Sequence, residues 1–236
     1  MNINGSIALV TGANRGLGRA FSQALLARGA SKVYAAARRP ETVDLPGVVP
    51  LRLDITDQSQ VAEAAARADD VTLLVNNAGI FTAGSLVRDP LDGLRAELDT
   101  QLFGTLHMMR SFAPILGANG GGAIVNVLSA MSWFAYDGGN AYHVSKAAAW
   151  AATNGARIEL TNQGTLVVAV HLGLADTDMA AASTAPKLAP SEVAEVTLNG
   201  VEQRRFEVLA DDWSRTVKAS LAGDPAEFYG TTEIPD

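Results

Sequence analysis

Two groups of residues in this chain could do chemistry, one near the N-terminus and one past the middle. The later group is Tyr142-His143-Val144-Ser145-Lys146, in which a phenol and an ammonium lie four positions apart. Positions i and i+4 share one face of a helix, so the two groups can act together. A free tyrosine has a pKa of about 10, and a neighbouring cation favours its phenolate. The spacing of Tyr142 and Lys146 therefore predicts an acid-base pair.

A serine hydroxyl accompanies this pair. Ser129 follows the apolar run Ala123-Ile124-Val125-Asn126-Val127-Leu128, which predicts a buried strand, and it stands thirteen positions before Tyr142. At a strand end its hydroxyl can hydrogen-bond a reacting oxygen, or it can simply cap the strand. Ser132, ten positions before Tyr142, is the alternative for the same role.

The N-terminal group is a glycine-rich loop that favours phosphate binding. Its sequence is Thr11-Gly12-Ala13-Asn14-Arg15-Gly16-Leu17-Gly18. The apolar run Ile7-Ala8-Leu9-Val10 predicts a strand before it, and the helical spacing of Leu17 and Phe21 predicts a helix after it. Glycines at such a turn let the backbone approach a pyrophosphate, and the helix N-terminus attracts its charge. The loop thus predicts a dinucleotide site, with a plain strand-to-helix turn as the alternative.

Two arginines at the end of the second predicted strand, Lys32–Ala37, indicate which dinucleotide binds. An acidic residue there would accept hydrogen bonds from the adenosine ribose of NAD, whereas Arg38 and Arg39 suit the additional phosphate of NADP. Arg15 in the glycine loop can approach the same phosphate. The sequence favours NADP(H) over NAD(H), and a solvated strand end is the alternative for the two arginines.

Two further strand ends supply candidate contacts to the adenosine. The third predicted strand, Val48–Leu53, leads into Asp54 and Ile55, and the Asp54 carboxylate can accept from the adenine amino group. The fourth, Val71–Val75, leads into Asn76-Asn77-Ala78-Gly79, where Asn77, Ala78 and Gly79 permit backbone contact with the ribose, or form only a turn. Because carboxyl ends of parallel strands meet at one sheet edge, we expect these groups to converge.

In their order and approximate spacing, these motifs resemble the NADP-preferring members of the short-chain dehydrogenase/reductase family over nearly the whole chain. The resemblance implies that Tyr142 is the general acid when a carbonyl is reduced, and that Ser129 orients the carbonyl oxygen. It also implies that Lys146 lowers the pKa of Tyr142 and binds the nicotinamide ribose. Hydride would pass from the nicotinamide to the carbonyl carbon, with the protein supplying position and electrostatics.

The chain departs from the family's pattern in two places. Where the family commonly has an asparagine that holds a water linked to the lysine, this chain has Gln101, which the resemblance therefore places among the catalytic residues. Its longer arm leaves that relay intact, shifted or lost. After the sixth predicted strand, Thr165–Val170, the family usually has Pro-Gly and this chain has Leu172-Gly173. Unlike proline, Leu172 has an unrestricted φ angle and a backbone N–H that can donate a hydrogen bond. The expected contacts to the nicotinamide come from Gly173, Leu174 and Thr177.

These elements predict an α/β fold, a Rossmann-like doubly wound sandwich whose central parallel sheet has about seven strands and helices on both faces. We expect residues 1–236 to form one domain and residues 180–204 to form a mobile segment over the substrate, with Ser191 capping a helix. By resemblance, predicted helices Leu91–Met109 and Ala141–Leu160 would pair across a two-fold axis, giving a homodimer or homotetramer.

Composition argues against several other classes of protein. The net charge of −7 disfavours nonspecific nucleic-acid binding. The absence of cysteine and the presence of only three histidines disfavour a metal site. Because no apolar run is long enough to span a bilayer and no signal peptide precedes the first strand, we expect a cytoplasmic protein without a membrane partner.

Aromatic side chains near the predicted site indicate the class of substrate. The candidate pocket residues are Phe81, Ser129, Trp133, Phe134, Tyr136 and Met179. Their aromatic content favours an apolar, aryl-bearing ketone or aldehyde, and packing in the core or between subunits is the alternative. We expect an NADPH-dependent carbonyl reductase acting on a small-molecule carbonyl substrate. A non-enzymatic NADP-sensing protein and an imine reductase on the same scaffold are the alternatives.

Overall fold

The chain folds around a parallel sheet of seven strands. The computed structural model describes residues 1–230. The strands lie in the order β3-β2-β1-β4-β5-β6-β7, and all neighbouring pairs are parallel. Their bounds are β1 Ile7–Thr11, β2 Lys32–Ala37, β3 Val49–Arg52, β4 Leu73–Asn76, β5 Ala123–Val127, β6 Leu166–His171 and β7 Glu207–Leu209. The doubly wound α/β fold predicted from the sequence is confirmed.

Helices cover both faces of the sheet because the strands alternate their side chains between two apolar layers. Ala8 and Val10 of β1 pack with Phe21 and Val193 on one face, and Leu9 packs with the other layer. The helices are α1 Gly16–Ala27, α2 Gln58–Arg67, α3 Asp92–Glu97, α4 Thr105–Ala118, α5 Asn140–Glu159, α6 Pro190–Glu202, α7 Asp212–Ser220 and α8 Pro225–Tyr229. Among residues 1–230, no helix combines the length and apolarity that crossing a bilayer requires.

The helix predicted over Leu91–Met109 is divided in the structure. A π-helical turn, Leu98–Gly104, separates α3 from α4. Its last residue is a glycine against which Ile55 packs, since a Cβ there would stand 2.8 Å from Ile55 Cδ1. π turns occur often at functional sites, and this one contains Gln101.

The range predicted to cover the substrate, residues 180–204, contains a helix that packs in the core. Residues 190–202 form α6, whose Val193, Leu198 and Val201 are fully buried in the core. The helix is preceded by Ala189 rather than capped by Ser191, because Pro190 occupies its first turn and the Glu192 carboxylate accepts from the Ala189 N–H (3.0 Å).

The last helix, α8, was not predicted from the sequence. Asp224 begins it by accepting a hydrogen bond from the Ala226 N–H at 2.9 Å. Its aromatic residue Phe228 packs near Phe134 and Trp213, with ring centroids 6.0 and 6.3 Å apart. The helix thus contacts the loop that follows β5.

Candidate active site

The carboxyl ends of β1 and β4 are tied together beside the glycine loop. Thr11 Oγ1 accepts from the backbone N–H groups of Asn77 (2.9 Å) and Ala78 (3.0 Å), and the Asn77 amide donates to the Thr11 carbonyl (2.9 Å). Gly12 has a φ of +65°, in the left-handed region that favours glycine. A Cβ on Gly18 would stand 2.1 Å from the Gly12 carbonyl oxygen, so only glycine lets α1 start this close to β1.

A cavity of about 660 Å³ opens at this edge of the sheet, and we call it the glycine-loop cavity. Of the residues predicted to bind the dinucleotide, its wall contains Gly12, Asn14, Arg15, Arg38, Asp54, Ile55, Ala78 and Gly79. Arg39 is not part of this wall. Its backbone carbonyl accepts a hydrogen bond from the Thr42 hydroxyl (2.6 Å). The N-terminus of α1, the close glycine approach and the Arg38 guanidinium together fit the phosphates of a nicotinamide dinucleotide.

Arg15 has a partner across this cleft. Its Nη1 donates to Asp178 Oδ2 at 2.8 Å, and both side chains are exposed. Asp178 follows Thr177 directly, and the Thr177 methyl carbon would lie 3.1 Å from a Cβ on Gly16. The segment after β6 therefore packs against the glycine loop. This proximity would allow the two segments to contact the same ligand.

A second cavity, of about 350 Å³, lies at the carboxyl ends of β5 and β6, and we call it the tyrosine cavity. Ser129, Tyr142 and Lys146 all line it. Its wall also includes the predicted residues Leu17, Phe81, Tyr136, Gly173, Leu174, Thr177 and Met179. The remaining wall residues are Val127, Leu128, Met131, Leu172, Ala175, Ala180, Ala182 and Ser183, none of which is charged. The structure thus brings the three candidate catalytic residues to one apolar cavity.

Each of the three side chains contacts a neighbouring segment of the chain. The buried Lys146 Nζ donates to the Val127 carbonyl at 2.9 Å and lies 5.4 Å from the centroid of the Tyr142 ring. Ser129 Oγ accepts from the Met131 N–H at 3.1 Å. The Phe81 ring meets the Tyr142 ring edge-on, with centroids 5.5 Å apart. Contacts within the protein therefore position the hydroxyl, the phenol and the ammonium.

Burial determines the protonation state of this pair. It raises the pKa of the Tyr142 phenol, the charges of Glu97 and Tyr136 raise it further, and a hydrogen bond with Ser129 lowers it. Burial lowers the pKa of Lys146 to about 8, and the charge of Glu97 opposes this shift. Tyr142 is therefore protonated at neutral pH, which is the form that a general acid needs.

Trp133 and Phe134 lie outside the tyrosine cavity, contrary to the sequence prediction. Trp133 stacks on His171, with ring centroids 3.8 Å apart, and Phe134 packs edge-on against His143 (5.5 Å) and Trp213 (5.5 Å). Large aromatic side chains bury more of their surface by packing against neighbouring aromatic rings than by lining an open cavity. The sequence alone does not show which of these two positions the rings occupy.

His143 fixes the loop that carries Tyr136 into the cavity wall. Its Nε2 accepts from the Tyr136 N–H at 3.1 Å, and its Nδ1 lies 3.4 Å from the Met131 carbonyl oxygen. This pairing assigns the proton to Nδ1. Burial lowers the pKa of His143, so the ring is neutral at pH 7 and can keep accepting.

His171 supports Ser129 from behind the sheet edge. It is fully buried, and its Nδ1 lies 2.9 Å from the Ser129 carbonyl oxygen. Burial lowers the pKa of His171 to about 4. Lys218 and Glu207 form an ion pair beside it, and Glu207 Oε1 lies 3.6 Å from His171 Nε2. The neutral His171 ring thus holds the backbone of Ser129 in place through its carbonyl oxygen.

Gln101 does not reach either cavity, although the sequence analysis placed it among the catalytic residues. Its side chain is buried, its Oε1 accepts from the Ile80 N–H (3.0 Å), and its Nε2 donates to Ser145 Oγ (2.7 Å) and Glu97 Oε2 (3.2 Å). The amide is fully engaged by protein atoms. Sequence reasoning missed Glu97, although its position four residues before Gln101 was a usable signal, because such residues share a helical face.

Comparison with known proteins agrees with this geometry. A sequence model of the family described as short chain dehydrogenase matches residues 6–188. The chain belongs to the short-chain dehydrogenase family. As a member of this family it is an oxidoreductase of the nicotinamide-dependent kind.

Relatives of this short-chain dehydrogenase include both sequences and solved structures. A sorbitol dehydrogenase of Cereibacter sphaeroides is 33% identical over 186 residues, which cover 75% of this chain and 73% of the relative. A short chain dehydrogenase from Burkholderia cenocepacia, solved in complex with NADP, is 42% identical with a TM-score of 0.93 over 100% of both chains. A Burkholderia phymatum family member, solved in complex with NAD, is 25% identical with a TM-score of 0.82, over 100% of this chain and 98% of that one.

Proposed function

We propose that this short-chain dehydrogenase reduces an uncharged, apolar ketone or aldehyde to an alcohol with NADPH. The observation that carries the proposal is the convergence of Ser129, Tyr142 and Lys146 on the tyrosine cavity. Apart from those three residues, the wall is built mainly from aliphatic and aromatic side chains, and Lys146 is its one charged residue among residues 1–230. Such a wall suits an apolar body attached to the carbonyl, and apart from Lys146, which the reaction itself uses, it has over residues 1–230 no cation to pair with a substrate carboxylate.

The residues divide the chemistry among themselves. NADPH, when bound, supplies the hydride for the carbonyl carbon. The Ser129 hydroxyl holds the carbonyl oxygen, and the Tyr142 phenol donates its proton to that oxygen as negative charge develops. Lys146 stabilises the phenolate that remains, and Tyr142 is then reprotonated from solvent. Thr177, Leu174 and Gly173 would hold the nicotinamide end, since all three lie on the cavity wall.

NADP(H) is the cofactor we assign to this chain. The assignment is supported by Arg38 on the wall of the glycine-loop cavity, at the end of β2. A guanidinium pairs well with a phosphate. The complex of the Burkholderia cenocepacia relative with NADP agrees with the assignment, and the Burkholderia phymatum relative shows that family members of this fold also take NAD.

The proposal includes a homodimer or homotetramer formed through α4 and α5. Phe103 just before α4, and Val144 and Ile158 on α5, are apolar side chains that are 48%, 38% and 78% exposed. Apolar side chains of this size on neighbouring helices favour association with a second copy.

Turnover by the purified protein tests the proposal. A panel of aryl and alkyl ketones is mixed with NADPH or with NADH, and the loss of dihydronicotinamide absorbance is followed. We expect turnover with NADPH, and a loss of about 10²- to 10⁴-fold in kcat for Tyr142→Phe, the range that general acid catalysis contributes. NADPH binding without reduction of any carbonyl would contradict the proposal and favour a sensor. An amine product, formed only when a primary amine is added with the ketone, would indicate imine reduction.

A further inference from the structure

Glu97 is a fully buried carboxylate at the C-terminal end of α3. Among residues 1–230, no lysine or arginine forms an ion pair with it. Removing an ionised carboxylate from water is strongly unfavourable unless hydrogen bonds and a nearby positive charge compensate. The surroundings of Glu97 supply both.

Hydrogen bonds satisfy both oxygens of this carboxylate. Oε1 accepts from the backbone N–H of Thr82 at 2.5 Å and from its hydroxyl at 2.7 Å. Oε2 accepts from Gln101 Nε2 at 3.2 Å and from Ser145 Oγ at 3.1 Å. The two N–H groups can only donate, and one faces each oxygen, so the acceptor-only ionised form matches this site.

The same network reaches the catalytic turn of α5. Ser145 lies between Tyr142 and Lys146 in the sequence, and its hydroxyl oxygen is 2.9 Å from the Tyr142 carbonyl oxygen and 2.7 Å from Gln101 Nε2. Gln101 also accepts from the Ile80 N–H. Glu97 and Gln101 thus connect the loop after β4, the π turn and α5.

The carboxylate of Glu97 also lies beside the turn that carries Lys146, since Oε2 accepts from Ser145, the residue directly before Lys146. Burial lowers the pKa of Lys146 to about 8, and Glu97 acts in the opposite direction. Burial raises the pKa of both Tyr142 and Tyr136, and it lowers the pKa of both His143 and His171. These four neighbouring groups are neutral at pH 7, and the charged Lys218 and Glu207 beside His171 pair with each other.

We propose that Glu97 is a positioning residue of the active site. Its carboxylate balances the buried Lys146 ammonium, and through Gln101 and Ser145 it fixes the turn of α5 that carries Tyr142 and Lys146. Its effect on catalysis rests on the proposed reductase function, whereas its effect on Lys146 needs no substrate. Gln101, in this account, supports the carboxylate rather than relaying protons.

Direct titration of Lys146 tests the charge balance. The chain has four lysines, so protein labelled with ¹³C-lysine gives a simple side-chain NMR spectrum, in which Lys146→Met identifies the Lys146 signal. We expect Lys146 of the wild type to titrate at about pH 8. Glu97→Gln, nearly equal in shape, should lower that value by about one pH unit. Asp92→Asn, which removes an exposed carboxylate from the same helix, should leave it in place.

Two outcomes would overturn the inference. One is a wild-type Lys146 that titrates below pH 7, a measurement that remains decisive if Glu97→Gln does not fold. The other is a Lys146 value that is the same in Glu97→Gln and Asp92→Asn.

The pH profile of kcat gives a second readout. Turnover falls above the pKa of Lys146, so Glu97→Gln should move this alkaline limb to lower pH. Ser145→Ala keeps the charge and removes the link to α5, and it should lower kcat at every pH without moving the limb. An equal movement of the limb in both variants would contradict a role for the carboxylate charge. If the wild type reduces no ketone while Lys146 titrates as expected, the proposed function fails and the charge balance stands.

Discussion

Tyr142 and Lys146 respond to burial in opposite directions, and this decides which of them titrates near neutral pH. Burial raises the pKa of the phenol and lowers the pKa of the ammonium to about 8. The family resemblance implies that Lys146 lowers the pKa of Tyr142 and binds the nicotinamide ribose, and both remain predictions. Burial keeps Tyr142 protonated at neutral pH, which suits reduction, and makes the charge of Lys146 the pH-dependent quantity.

Arg38 and Arg39 are adjacent in sequence but differ in position, which gives a matched pair of variants. Arg38 lies on the wall of the glycine-loop cavity and Arg39 does not. Arg38→Gln should weaken NADPH binding by about 10- to 100-fold, because a hydrogen bond to a charged group contributes about 1.5–3 kcal/mol. It should change NADH binding little. Titration of dihydronicotinamide fluorescence measures both dissociation constants.

Arg39→Gln is the control for that pair and should bind NADPH as the wild type does. An equal loss in the two variants would place the adenosine phosphate elsewhere or make the effect one of overall charge. An equal loss of NADPH and NADH binding in Arg38→Gln would contradict selectivity for the phosphate.

Among the elements, the loop between β5 and α5 shows how packing shapes the cavity. Tyr136 lies on the cavity wall because His143 accepts from its backbone N–H, while Trp133 and Phe134 turn away toward His171 and α8. The wall thus depends on the neutral imidazole of His143, which is not itself part of the wall.

His143→Phe should loosen that loop while keeping an aromatic ring in place. Losing a buried hydrogen bond costs about 1 kcal/mol, so we expect the KM for the carbonyl substrate to rise about fivefold. Because Tyr142 and Lys146 stay where they are, kcat should change less than KM. Steady-state kinetics at pH 7 measures both constants.

Val144→Ala, at the next position of α5 and partly exposed, is the control for this variant and should keep the KM of the wild type. An unchanged KM in His143→Phe, or a loss confined to kcat, would contradict a role for His143 in shaping the wall.

At the scale of the whole molecule, the strands were predictable because a parallel sheet buries both of its faces. Runs such as Lys32–Ala37 and Ala123–Val127 are almost wholly apolar. The glycines of the glycine-rich loop indicate where α1 begins. The same logic placed Ser129, Tyr142 and Lys146 at one edge. These features could be predicted from the sequence because each depends on residues that are close together in the chain.

The features that the sequence did not reveal depend on tertiary contacts. The π turn forms where Gly104 meets Ile55, and Trp133 is removed from the cavity by stacking on His171. Glu97 is buried because Thr82, Gln101 and Ser145, from three separate segments, all donate to it. No pattern of residues close together in the sequence specifies these tertiary contacts.

The transfer of deuterium from labelled NADPH tests the central claim most directly. The protein is incubated with NADPH carrying deuterium at both C4 positions and with each ketone of the aryl and alkyl panel in turn, and the products are analysed by mass spectrometry. The account predicts an alcohol with one deuterium at its carbinol carbon, formed by the wild type and strongly reduced in Tyr142→Phe. Formation of no labelled alcohol from any ketone while NADPH is bound, or undiminished labelling by Tyr142→Phe, would contradict it.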